Sequence, residues 1–243
     1  MAEWIGDGAL GYLRSRTTFS EGWSLRLDES YRLAHLPLIA PDHPDVIASR
    51  AGKHYEMGRH PAVTSLVLPI DMPALAASPS FRAMEQELRA APFADKIAWD
   101  LLPRRAARLH ATLCGSLEPI TEEQRQGLQS SPPFRAVLRG LFSGNVNLGR
   151  LYLRLYPQGR DGLNPIDAIQ AAMGRQASDL YLVGLYNLRD HLDVAETEAL
   201  AALIERHWPD DLLEIDVDRL WLLTSRDDLV LDAAIDDTLH LRG

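Results

Sequence analysis

The tripeptide His110-Ala111-Thr112 carries the residue types best suited to chemistry in this chain. It lies in an apolar run, LHATLCGSL (109–117), that reads as a strand, and side chains two apart in a strand project from the same face. An imidazole and a hydroxyl then stand side by side while Ala111 faces away. Histidine exchanges protons near neutral pH, and a neighbouring hydroxyl can hold an anionic oxygen, so the pair suits acid–base work on a phosphate. Alone, H-x-T is short and common, and a purely structural histidine is its ordinary reading. Arg108 shares the His110 face two residues earlier, where it can contact phosphate. On another alternating run, GRLYLRLYP (149–157), Tyr152 and Arg154 share a face and can line a cleft. Cys114 falls on the His110 face and, with no acidic or basic neighbour in sequence, reads as a small buried hydrophobe. His35, His43, His54, His60, His207 and His240 form no i,i+4 pair on a helix, and His54 with His60 is only a faint metal signal. No metal and no cofactor is expected, and no P-loop, GxGxxG, GxSxG or HExxH pattern occurs.

The elements that must position these residues follow from periodicity and capping. VTSLVLPI (63–70) is a short buried strand, and SPSFRAMEQELRA (78–90) a helix with Ser78 at the N-cap and Pro79 first. After a basic turn (103–108) and the H-x-T strand comes TEEQRQGLQ (121–129), where Thr121 and Gln124 fit a capping box. FRAVLRGLF (134–142) is strand-like. A second series then reads strand (149–157), helix (164–174, capped by Asn164), strand (179–188), helix (196–208) and strand (217–225), with TLHLR (238–242) adding one more. The first 62 residues are rich in turn-formers and read as a loose extension with one helix near Glu29–Leu36. Because RLHATLCGSLEPITEE (108–123) overlays LVGLYNLRDHLDVAET (182–197), with Glu122 on Glu196, two copies of one unit are expected. The fold class is α+β: a two-lobed, pseudo-twofold domain, each lobe an antiparallel-type sheet covered by helices, with a central cleft. The boundaries are an extension over 1–62, lobe one over 63–148 and lobe two over 149–243.

The 243 residues are 46% hydrophobic and 24% charged, with no apolar run long enough to span a bilayer. The opening MAEWIGDGAL lacks a secretory pattern and there is one cysteine, so a soluble, cytoplasmic protein is expected. A net charge of −9 argues against long nucleic acid as partner. The charge is uneven, however. Residues 190–243 hold 15 acidic side chains against 4 arginines, whereas residues 100–160 hold 9 arginines against 4 carboxylates. The H-x-T motif therefore lies in the basic part of the chain, where guanidinium groups suit phosphate oxygens.

From Val63 onward the chain resembles the 2H phosphoesterase superfamily, which includes LigT-like 2′-5′ RNA ligases and cyclic phosphodiesterases. The resemblance rests on SLVLPID (65–71), a helix, LHATLCGSL (109–117) in place of the first H-x-T strand, and a late RLWLLTSRD (219–227). It implies a bilobal fold with one H-x-T per lobe, two histidines acting as general base and general acid, and hydroxyls that bind phosphate. The overlay puts Gly184, Leu185 and Tyr186 where the second motif belongs. Glycine transfers no proton; Tyr186 keeps a hydroxyl, and His191 lies seven residues beyond Gly184. The resemblance thus implies a phosphodiester hydrolase of the cyclic phosphodiesterase type acting on a small nucleotide or RNA end. Its site would comprise His110, Thr112 and Tyr186, with Arg108, Tyr152 and Arg154 around the phosphate. The alternatives are a binding module for a nucleotide or phosphorylated metabolite that has lost turnover, and a partner-binding protein in which H-x-T is incidental.

Overall fold

The structure is a computed structural model that describes residues 3–160 and 162–243. Its eight strands are β1 (Arg59–Pro69), β2 (His110–Leu117), β3 (Phe134–Ser143), β4 (Arg150–Pro157), β5 (Leu182–Asn187), β6 (Asp211–Val217), β7 (Arg219–Asp227) and β8 (Ala233–His240). They form one curled sheet in the order β6-β3-β4-β5-β2-β1-β7-β8, antiparallel at every pairing. The fold is α+β and two-lobed: β2-β1-β7-β8 mirrors β5-β4-β3-β6 about a join where Ala111 pairs with Val183.

Nine α-helices occur among the described residues: α1 (Tyr12–Ser15), α2 (Glu29–Ala34), α3 (Leu36–Ile39), α4 (Met72–Ala77), α5 (Pro79–Ala90), α6 (Leu101–Arg105), α7 (Glu122–Gln129), α8 (Pro165–Ala172) and α9 (Val194–His207). None of them is long and apolar enough to cross a membrane. Their starts obey local chemistry. The Ser78 hydroxyl accepts the Phe81 N–H, Asn164 caps α8, and reciprocal capping boxes join Thr121 with Gln124 and Asp193 with Glu196. The basic turn before β2 is α6 followed by a single 3₁₀ turn, Ala106–Arg108.

Two boundary expectations need correction. The lobes do not divide at residue 148, because β7 pairs with β1 (Val63 opposite Ser225) while β3 pairs with β4 and β6. The first lobe therefore combines β1 and β2 with the last two strands, and the chain crosses between lobes twice. The second crossing is abrupt: only Asp218 separates β6, at one edge of the sheet, from β7, next to the opposite edge. Nor do residues 3–62, the described part of the expected extension 1–62, lie loose. Tyr12, Leu25, Tyr31 and Leu36 are wholly buried in the common core. The Tyr12 hydroxyl donates to the Leu155 carbonyl at 2.6 Å, and that of Tyr31 to Leu188 at 2.7 Å. This segment lies over the lobe-two face of the sheet on which Tyr152, Arg154 and Tyr156 alternate, so it closes half of what an open cleft would expose.

Candidate functional site

Beside the join of the lobes lies a half-open cavity of about 330 Å³. It is contributed by both lobes: His110 and Thr112 from β2, Arg150 and Tyr152 from β4, Leu182 and Gly184 from β5, and His60 and Ser65 from β1. Arg105 and Arg108 enter from the segment preceding β2, and Asp227 and Asp228 from the end of β7. Of the residues expected from sequence, Arg108, His110, Thr112 and Tyr152 meet here.

The His110 ring is fixed by its own strand. Its Nδ1 lies 2.7 Å from the Arg108 carbonyl, which can only accept, so Nδ1 carries the hydrogen and Nε2 is left with its lone pair. Burial, reinforced by Arg150 and Arg105, pushes the pKa of His110 down to about 4. The imidazole is therefore neutral near pH 7, a base rather than an acid. Thr112, two residues on, is exposed to the cavity.

The charge around His110 is guanidinium. Arg105 is wholly buried, donates to the Leu185 carbonyl at 2.7 Å, and leaves its Nε without a partner; burial and Arg150 push its pKa down to about 9. Arg150 donates to Nε2 of buried His35 at 3.1 Å, stands 5.2 Å from the Tyr152 ring centroid, and also has an unsatisfied Nε. His35 accepts because burial and Arg150 hold it neutral, with a pKa pushed down to about 3. Arg108 donates to the carbonyls of Ala233 and Arg104. Among the described residues none of these three arginines is ion-paired with a carboxylate. Across the cavity, Asp228 accepts from Tyr55 at 2.8 Å and lies 3.3 Å from His60 Nε2, whose other nitrogen faces the Pro61 carbonyl at 2.7 Å. His60 raises its pKa in that company, and Asp228 drops to about 2 despite burial.

Tyr186 is not in the site, and the reason is a β-bulge. Along β4 and β5, Tyr152 pairs with Gly184 but Leu151 pairs with Tyr186, so Leu185 is an extra residue that turns the following side chain to the other face. There Tyr186 is buried, bonded to Glu85 at 3.0 Å and stacked edge-on against Trp99, with burial and Glu85 raising its pKa. A matching extra residue, Leu113, sits between Val67–Thr112 and Leu66–Cys114, which sends Cys114 into the core. The two bulges superpose if Leu113 is matched to Leu185. Thr112 then corresponds to Gly184, His110 to Leu182 and Cys114 to Tyr186, so the overlay made from sequence is two residues out of step.

Arg154 is likewise outside the cavity. It is wholly buried under the amino-terminal segment, with its guanidinium 3.5 Å from the Trp208 ring centroid and bonded to Tyr156 and the Trp208 carbonyl. His191 binds Asp45 at 2.6 Å and accepts the Leu27 N–H, which pins that segment down. The residues that sequence reasoning missed are Arg105, Arg150, His60 and Asp228. Arg105 and Arg150 were signalled only by the arginine-rich composition of residues 100–160, and His60 only as half of a faint metal signal with His54.

No family model matches the chain, and no curated protein matches it. Among solved structures, the crystal structure of TT0787 of Thermus thermophilus is similar over 74% of this chain and 98% of that one, with 15% identity and a TM-score of 0.42.

Proposed function

We propose that this protein binds the phosphate group of a small nucleotide or phosphorylated metabolite in the cavity at the lobe join. The observation that carries the reading is the convergence of Arg105, Arg108 and Arg150, none of them ion-paired among the described residues, beside His110 and Thr112. Guanidinium groups without a carboxylate are costly to bury, and a bound oxyanion offsets that cost through charge-assisted hydrogen bonds. The cavity suits a small ligand in size. A long polyanion does not fit a chain of net charge −9.

A second reading is hydrolysis of a 2′,3′-cyclic phosphodiester, the activity implied by the likeness to 2H phosphoesterases. It is favoured by the His110 tautomer, since a bare Nε2 facing the cavity can take a proton from water. Against it stands the second motif, whose places hold Leu182 and Gly184, while the other histidine of the cavity, His60, comes from β1 and has its two nitrogens engaged by Asp228 and the Pro61 carbonyl.

Titration with inorganic phosphate while the His110 ring signals are followed by NMR tests the binding reading. Shifted ring signals and a raised His110 pKa are expected, because an anion compensates the neighbouring guanidinium charges. Unperturbed signals at millimolar phosphate would sink it. Hydrolysis of a 2′,3′-cyclic nucleotide that disappears in His110→Ala would favour the second reading.

A further inference from the structure

We infer that the cavity is built for a terminal phosphate monoester in its dianionic form rather than for a phosphodiester; this rests on the phosphate-binding reading above. The charges facing the cavity come from five elements. Arg105 closes α6, Arg108 precedes β2 and Arg150 opens β4, which together bring three positive charges. Asp227 turns both carboxylate oxygens toward the backbone N–H groups of Leu229, Leu231 and Asp232, at 2.7–3.0 Å. Asp228 is matched by His60 from β1, whose two nitrogens face acceptors and so both carry hydrogens. His35, behind Arg150, and His110 are neutral. The surplus is two positive charges.

A phosphate monoester above its second pKa, about 6, approaches a charge of −2 and presents three free oxygens. A diester keeps a charge of −1 and presents only two. Three forked donors and a surplus of two therefore match the monoester in both charge and number of oxygens. The places of a second H-x-T motif point the same way. Leu182 stands where its histidine would, Gly184 leaves the place of its hydroxyl bare, and the Arg150 guanidinium lies over that glycine. An arginine stays charged and can neither supply nor remove the proton that cleavage of a diester needs.

The experiment is calorimetric titration of the full chain with phenyl phosphate, a monoester, and methyl phenyl phosphate, its diester counterpart, at pH 5 and pH 7. Phenyl phosphate is expected to bind about tenfold more tightly at pH 7, because its dianion rises from about one tenth to about nine tenths of the total across a second pKa near 6. His110 is mostly neutral in the free protein over that window, and any proton that it or His60 holds with the anion bound favours pH 5, so a gain toward pH 7 belongs to the ligand. The diester is expected to bind more weakly than the monoester at pH 7 and to respond little to pH. Arg108→Gln, at a half-buried position, should weaken the monoester several-fold more than the diester while leaving the fold intact. Equal or tighter binding of the diester at pH 7, or a flat response of the monoester, overturns the inference and leaves phosphate binding standing. Failure of both probes to bind overturns the phosphate reading together with it.

Discussion

The guanidinium of Arg150 lies across the bare face of Gly184, so close that a Cβ built on the glycine would come within 2.6 Å of the guanidinium carbon. An arginine from one strand thus occupies the space above the next strand that a side chain would otherwise fill. Gly184→Ala should push Arg150 off His35 and out of the cavity. The clash falls on the free end of a flexible side chain beside an open cavity, so thermal denaturation should register a loss of less than about 1 kcal/mol. Phenyl phosphate affinity should fall several-fold in the same variant, and unchanged affinity would show that Arg150 does not touch the ligand.

Two histidines, the wholly buried His35 and the half-buried His110, make stability depend on pH. The pKa values of His35 and His110 sit at about 3 and about 4 in the fold, against about 6.5 in the unfolded chain. Below pH 6.5 the unfolded chain binds more protons than the folded one, so stability is complete above that value and declines as pH falls toward 4. The slope reaches up to about 1.4 kcal/mol per pH unit for fully buried His35. His60, raised by Asp228, acts in the opposite sense: its contribution is present below pH 6.5 and fades as pH rises through its folded value. Urea denaturation between pH 4.5 and 7.5 should show the decline, and His110→Asn should flatten it in part.

Tyr186→Phe should leave phosphate affinity unchanged and cost about 1 kcal/mol through the lost bond to Glu85. Thr112→Val should do the reverse, with reduced affinity and little change in stability, since its hydroxyl is exposed in the cavity. Calorimetric titration of the two variants side by side separates the outcomes. A drop in affinity for Tyr186→Phe would contradict the placement of its ring beyond the bulge.

Removing the Tyr12 ring should be far more costly than its place near the chain start suggests. Tyr12 is wholly buried, packs against Tyr156 and Phe142, and donates to two carbonyls. Tyr12→Ala should lose about 3–5 kcal/mol, as large-to-small changes of aromatic core residues do. A loss below about 1 kcal/mol, measured by denaturant unfolding, would mean that the segment merely rests on the sheet.

What could be read from the residues was what depends on local chemistry. Ser78, Thr121 with Gln124, and Asn164 announce helix starts because a cap needs only its own next three residues. The H-x-T face was legible because it falls before the Leu113 bulge; past that point alternation misplaces Cys114, and past Leu185 it misplaces Tyr186. A bulge has no signature in composition, as it is set by the partner strand. Arg150 stayed hidden because its importance comes from lying beside Gly184, a relation created by strand pairing. β6 was overlooked because a single residue divides it from β7, with no turn signal to mark a strand that changes sides of the molecule. The buried role of residues 3–47 was missed because Tyr12, Leu25 and Tyr31 are spaced without period and find their partners more than 100 residues away.

That one-residue passage at Asp218 has a consequence for biosynthesis. β1 cannot acquire its outer neighbour until residues 219–227 have been made, since Val63 pairs with Ser225. At elongation rates of about 5–20 residues per second, the 162 residues added from Val63 to Ser225 correspond to roughly 8–32 s during which one edge of β1 is without its partner strand. Over that interval the nascent chain presents an apolar strand edge to its surroundings, while β3 to β6, which follow one another in the chain, can pair without β7. The first lobe is therefore committed to closing late, after the second has all of its strands.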